Sequence, residues 1–118
     1  MGLYSQVAIV PPGQRLIFVS GQVAIDETGA LVGKGDVAAQ AVQVFKNIHR
    51  ILVDSGATIN DIVKLNWYFR DMDDRAKIAA ARDKFLGAHR PASTAVAISR
   101  LVNEDWLLEV DCVAALPA

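Results

Sequence analysis

The sequence predicts an α+β fold: a single mixed β-sheet of about six strands with two helices packed on one face, in one domain over residues 1–118. Three observations predict it. Runs of branched and aromatic residues, bounded by turn residues, alternate with two stretches whose apolar positions recur at helical spacing. Two helices are enough to cover only one face of such a sheet. Yet the run from Arg15 to Ile25 sets Leu16 and Phe18 on one side and Ile17 and Val19 on the other, so it is apolar on both. An uncovered apolar face of this size calls for a partner, and self-association through it is predicted.

The elements follow in order. Pro11-Pro12-Gly13 reads as a turn between a short N-terminal strand and the strand Arg15–Ile25. Gly21 inside that strand signals a bulge or a close backbone approach. Asp26 to Gly29 is a turn, and Asp36 is a candidate N-cap. After it, Val37, Ala41, Val44, Phe45, Ile48, Ile51 and Leu52 recur at helical spacing up to Ser55, where Gly56 supplies a stop. From Asp61 to Arg70 the period changes to two: Val63, Leu65, Trp67 and Phe69 on one side, Lys64, Asn66, Tyr68 and Arg70 on the other. Asp73 is placed to cap a second helix with an apolar stripe of Ala76, Ile78, Ala81 and Phe85, closed by Gly87. The runs beginning at Ser93 and at Trp106 are the last two strands.

Composition narrows the partners. Apolar residues make up 53% and charged residues 21%, enough for a packed core. The net charge is −1 with Lys and Arg scattered, so no nucleic-acid partner is expected. No apolar run approaches a membrane span, and no basic leader precedes a long apolar segment, so neither a membrane partner nor a signal peptide is expected. Cys112 is the only cysteine, which rules out an internal disulfide and suits a reducing, cytoplasmic setting. His49 and His89 have no cysteine or carboxylate at ligand spacing; no metal and no cofactor are expected.

Six phrases, in order along nearly the whole chain, carry a resemblance. They are GLYSQ at Gly2–Gln6, FVSGQ at Phe18–Gln22, GDVAAQAVQVFKNIHRIL from Gly35, DIVKLNWYFRDMDD from Asp61, RPASTAVAISRL from Arg90 and LLEVDCVA from Leu107. Together they resemble the Rid family of reactive-intermediate deaminases, the YjgF-like proteins. The resemblance implies a YjgF/chorismate-mutase-like sheet whose open faces meet in a homotrimer with a barrel-like core, and small-metabolite clefts between subunits. It also implies hydrolysis of imines or enamines of 2-oxo acids to the oxo acid and ammonia.

Carried over residue by residue, it makes Tyr4 a residue that closes the cleft, Ser20 and Gly21 pocket-lining residues, and Asp111 the acidic residue, shorter by one methylene than the family's glutamate. Ser93 stands where the family has an arginine, Ala79 where many members have an asparagine, and Ala95 where they often have a cysteine. The chain is thus identified as an arginine-lacking member.

The chemistry gives each position its meaning. A substrate carboxylate is best held by a planar arginine fork, and losing one charge-assisted contact costs about 1.5–3 kcal/mol. Arg90 lies three residues before Ser93, an offset that points its side chain to the opposite strand face. The backbone N–H at Gly21 is open to close approach by a ligand. Glu109 shares a strand face with Asp111, so the two carboxyl groups are candidates for general acid or base work. Cys112 alternates with Asp111 and faces the covered core. The expected function is therefore an intersubunit metabolite cleft with Asp111 as the catalytic group, Tyr4, Ser20, Gly21 and Ser93 binding substrate, and weak or no activity on the usual 2-imino acids. The alternative is a non-catalytic, ligand-binding or regulatory trimer. Ribonuclease activity is disfavoured by the absence of a basic surface and of a histidine pair.

Overall fold

The computed structural model describes residues 4–118; Met1 to Leu3, including the Gly2 that begins the first of the six phrases, lie outside the described residues. Four strands form one mixed sheet: β1 (Arg15–Gln22), β2 (Ile62–Phe69), β3 (Ala92–Ala97) and β4 (Leu108–Leu116), in the order β1-β4-β2-β3. β4 is antiparallel to both of its neighbours, and β2 runs parallel to β3. A parallel pair needs a crossover, which α2 (Arg75–Leu86) supplies between β2 and β3. The longer α1 (Val37–Asp54) lies between β1 and β2 in the chain.

The sheet has four strands rather than about six, and the reasons are local. Pro11 and Pro12 carry no N–H to extend a ladder, and Val7 and Ile9 before them are exposed. Among the described residues of this N-terminal segment only Ser5 pairs, in an isolated parallel bridge to Ala92. At the other end β1 stops at Gln22. The residues beyond it bend into a tight turn in which Asp26 Oδ1 accepts hydrogen bonds from the N–H groups of Thr28 and Ala30, leaving only a bridge between Ile25 and Leu31.

The first helix begins as the sequence predicts. Asp36 caps it by accepting from the Ala39 N–H at 3.1 Å, and Gly56, at φ 86°, follows its last turn. Its face of Val37, Ala41, Val44, Phe45, Ile48 and Leu52 is buried against the sheet. Four of these, Ala41, Val44, Ile48 and Leu52, have no exposed surface, and burying each of the larger three is worth roughly 1.5–3 kcal/mol. The second helix departs from expectation. A 3-10 turn (Met72–Asp74) precedes it, capped by Asp71, which accepts from the Asp73 N–H. The helix's own N-cap is Asp74 rather than Asp73, and the Asp74 side chain makes no capping bond. Its buried stripe is Ile78, Arg82 and Leu86, and Ala76 is exposed.

Two polar side chains of α1 lie inside the core. Gln40 donates through Nε2 to the carbonyls of Gly33 and Asp105, and its Oε1 accepts from the Leu107 N–H. Asn47 Nδ2 donates to the carbonyls of Val23 and Ile25. These amides tie the loops flanking β1 and β4 to the helix. Gln40→Leu is expected to keep the volume but leave backbone groups buried without partners, at about 1–3 kcal/mol each. Urea unfolding checks this: the midpoint falls with the slope unchanged, whereas an unchanged midpoint would show the amide to be dispensable.

The two faces of the sheet differ sharply. Leu65, Trp67 and Phe69 of β2 and Leu108, Val110, Cys112, Ala114 and Leu116 of β4 are buried on the helix side. A bulge at Val63 lets Ile62, rather than Val63, join them: the ladder steps from Ile62↔Ala114 to Lys64↔Val113. On the opposite face Leu16 is 50% and Phe18 74% exposed, while Ile17 and Val19 of the same strand turn inward. That is the two-sided pattern the sequence predicts.

Candidate functional site

The predicted site residues fall into two groups, one on each face of the sheet. The first group is on the open face. Val19 pairs with Cys112 and Gln22 with Val110, so the two residues Ser20 and Gly21 oppose the single residue Asp111. This is a β-bulge, and it sits where Gly21 predicts one. Asp111 pairs with Asn66 across β2, and its Oδ1 accepts from Asn66 Nδ2 at 2.8 Å. Glu109 pairs with Tyr68. Its carboxyl group lies over Gly21: a Cβ there would sit 2.7 Å from Glu109 Cδ and 3.0 Å from Cγ. Glycine at this position therefore makes room for a carboxyl group. Partial burial first, then the negative charges of Asp111 and Glu109, raise the Tyr68 pKa above its ordinary value. The phenol stays protonated throughout the neutral range and is available as a donor beside the two carboxyl groups.

The second group is on the helix side, at the edge formed by β3. Ser93 pairs with Leu65, and its Oγ accepts from the Trp67 indole Nε1 at 3.2 Å. The N-terminal segment docks beside it. The Ser5 N–H donates to the Pro91 carbonyl at 3.1 Å, and the Ser5 hydroxyl donates to the Arg90 carbonyl. This brings Tyr4 to a cavity of about 210 Å³ lined by Tyr4, Trp67, Arg75, Arg82, Ser93 and Ala95.

The structure thus unites Ser20, Gly21 and Asp111, unites Tyr4 and Ser93, and separates the two sets. Within one chain they do not form a single cleft. Arg90 belongs to neither set: its Nη1 donates to the carbonyls of Gly87 and His89, just beyond α2. His89 Nε2 lies 2.7 Å from the Ile62 carbonyl, a structural contact. Among the described residues no three of His, Cys, Asp and Glu cluster as metal ligands do.

Five residues beyond the site residues named from the sequence belong to the two groups: Asn66 and Tyr68 in the first, Trp67, Arg75 and Arg82 in the second. Asn66, Tyr68 and Glu109 surround Asp111. Arg82 is buried on the stripe of α2, and its guanidinium lies 5.1 Å from the Trp67 ring centroid. The available signal was its spacing. Ile78, Arg82 and Leu86 are four residues apart, so a charged residue occupies a core-facing position. A larger apolar cleft, about 260 Å³, lies between α1 and α2 around Phe45 and Phe85; none of its lining residues carries a carboxyl group to act as an acid or base.

Cys112 is buried, as alternation with Asp111 predicts. Burial, then the charge of Asp111, pushes its thiol up to about 12. Since the thiolate is the reactive form, iodoacetamide at pH 8 is expected to leave the native protein unlabelled and to label it only in denaturant. Native-state labelling at the rate of a free thiol would show the core to be open.

A bulged sheet with carboxyl groups on its open face, two helices behind it and a cavity at its edge defines an α+β domain of the YjgF type. The comparisons agree. The family model described as Endoribonuclease L-PSP matches residues 1–116. A RutC family protein of Pyrococcus abyssi is 42% identical over 115 residues, covering 97% of this chain and 87% of that one. The 2-iminobutanoate/2-iminopropanoate deaminase of Salmonella typhimurium is 33% identical over 103 residues, covering 84% and 78%. A solved Rid-family protein of Yersinia pestis superposes with a TM-score of 0.86 at 30% identity, covering 96% and 86%. The chain belongs to the Rid (YjgF, Endoribonuclease L-PSP) family.

Proposed function

We propose that this protein is a homotrimeric hydrolase that converts a small imine or enamine to a carbonyl compound and ammonia in clefts between subunits. The observation that carries the reading is the convergence of Asp111, Glu109, Asn66 and Tyr68 with the Ser20–Gly21 bulge on the same face as the exposed Leu16 and Phe18. Packing that apolar surface against a second copy encloses the carboxyl cluster in the seam. Removing water there strengthens every polar contact inside.

In this reading Asp111 takes a proton from water as that water attacks the imine carbon and passes it to the nitrogen. It then carries the hydroxyl proton of the resulting carbinolamine to the same nitrogen, so that the C–N bond breaks, ammonia leaves and the carbonyl forms; an enamine first tautomerises to the imine. Asn66 fixes the carboxyl group through its 2.8 Å bond to Oδ1, leaving Oδ2 for the water. Ser20 and the backbone at Gly21 orient the substrate from the bulge. Tyr4 and Ser93, from the neighbouring subunit's sheet edge, hold its far end. The activity named for the Salmonella relative supports the reaction class. The lone buried thiol and a surface without a basic stripe favour a cytoplasmic protein that leaves nucleic acid and membranes alone; among the described residues no helix is long and apolar enough to cross a membrane.

Ammonia release from freshly generated imines tests the proposal. Because Ser93 presents no fork to a carboxylate, 2-aminoacrylate, the smallest substrate, is expected to turn over weakly, and imines of longer 2-oxo acids faster. Absence of ammonia release above the uncatalysed rate with every imine would reject the hydrolase reading in favour of a non-catalytic binding trimer. That second reading rests on the changed residues at Ala79, Ser93 and Ala95.

A further inference from the structure

The cavity beside Ser93 carries two cations that the strand itself does not supply. Arg75 and Arg82 lie seven residues apart on α2, two turns and hence one face. Both sit over the same indole ring: the Arg75 guanidinium carbon is 6.0 Å from the Trp67 centroid, and that of Arg82 is 5.1 Å. Ala79, between them on the helix, is small enough to leave their path open. The Arg82 side chain is only 8% exposed. Its Nε and Nη2 both donate to one oxygen of Asp83, at 3.0 and 2.9 Å. Its Nη1 has no hydrogen-bond partner among the described residues, although the side chain lines the cavity.

Among the described residues no buried side-chain nitrogen or oxygen lacks a partner, so the unpaired end of this guanidinium is open to the cavity, where a ligand reaches it. The charge count adds to this. The cavity lining holds two arginines and no carboxyl group, which suits an anion. The planar, fixed donors of arginine suit a carboxylate in particular. Around them the lining is a hydroxyl at Ser93, a methyl at Ala95 and the ring of Tyr4, so the cavity is polar at one end and accommodating at the other.

We propose that Arg75 and Arg82 form a carboxylate clamp, with Trp67 holding the two guanidinium groups in place, and that this clamp sets which substrates the protein accepts. The inference rests on the cleft reading given above and names its ligand class: monocarboxylates longer than three carbons, gripped from the helix rather than from strand position 93. Arg75 and Arg82 are specificity-determining residues here, remote from the proton-transfer group Asp111.

Isothermal titration with 4-methyl-2-oxopentanoate tests it, with the neutral ketone 4-methyl-2-pentanone and inorganic phosphate as controls. The oxo acid is expected to bind saturably and the ketone not to bind. Arg75→Gln, at an exposed position that keeps the fold, is expected to weaken oxo-acid binding about tenfold, the loss of one charge-assisted contact. Arg82→Gln is expected to weaken it further. If its circular dichroism shows that it does not fold, Arg82→Lys takes its place and is expected to fall between wild type and Arg75→Gln. Equal affinity of wild type and Arg75→Gln for the oxo acid, binding of the ketone as tight as that of the oxo acid, or no saturable oxo-acid binding overturns the clamp. Phosphate binding as tightly as the oxo acid overturns the carboxylate assignment. The two levels of the argument fail separately. Arginine-dependent binding without ammonia release leaves the clamp and removes the hydrolase, whereas Asp111-dependent ammonia release with no effect of Arg75 or Arg82 does the reverse.

Discussion

Asp111→Asn is expected to lower ammonia release by about a hundredfold or more, the usual contribution of a positioned acid or base, with little change in folding. The substitution keeps an oxygen where Asn66 Nδ2 donates, so the bond across β2 and β4 survives. Only the proton-accepting capacity is lost. The check is kcat with a longer 2-imino acid, alongside a thermal melt. A variant with wild-type turnover would remove Asp111 from the chemistry and shift attention to Glu109. A variant that loses activity together with its melting transition would show only a structural role.

Phe18→Asp is expected to give monomers in place of the proposed trimer and to abolish activity while leaving each monomer folded. Phe18 is 74% exposed and belongs to no part of the protomer's core, so removing it costs the isolated chain nothing in packing. In an assembly its burial is worth roughly 1.5–3 kcal/mol per copy, and a carboxylate in its place would be desolvated without a partner, which costs several kcal/mol more. Light scattering coupled to size exclusion reads the result as a change from three chains of 12.7 kDa to one. A mutant that remains trimeric would place the interface elsewhere, away from the open face of the sheet. A mutant that is monomeric but fully active would show that a single chain holds the whole site.

Much of this architecture is legible in the sequence because it follows from local rules. Asp36 and Gly56 frame the first helix by capping chemistry. Gly21 marks a bulge, since only a residue without a Cβ fits beneath Glu109. The alternation of Leu16 and Phe18 with Ile17 and Val19 separates the two faces of β1. What escapes local rules depends on distant contacts. The bulge at Val63, which turns Ile62 inward, is set by register with β4 and leaves no glycine as a sign. The N-terminal and post-Gln22 segments contain strand-forming residues, but they meet only one bridging partner each.

The site divides in the same way. Asp111 and Gly21 meet through one ladder, and pairing of the phrases that contain them anticipates it. Nothing local to residues 90–95 reveals that the cations near Ser93 come from α2. The spacing of Arg82 with Ile78 and Leu86 turns it toward the core, but only the structure shows that it and Arg75 share the Trp67 ring. Nor does alternation along separate strands show that Ser93 and Asp111 face opposite ways. That follows only once both are registered against β2, Ser93 beside the inward Leu65 and Asp111 beside the outward Asn66.

This division of the sheet into two half-sites has a consequence that mixed trimers reveal. Asp111→Asn spoils the open-face half, and Ser93→Trp fills the edge-cavity half, so each variant alone is expected to be inactive while remaining trimeric. Unfolded together and refolded one to one, they are expected to regain ammonia release, with about a quarter of the clefts receiving both intact halves from different chains in a random threefold ring. Mixed trimers that stay as inactive as their parents would mean that the halves never meet across a seam, and the site proposed here would not exist.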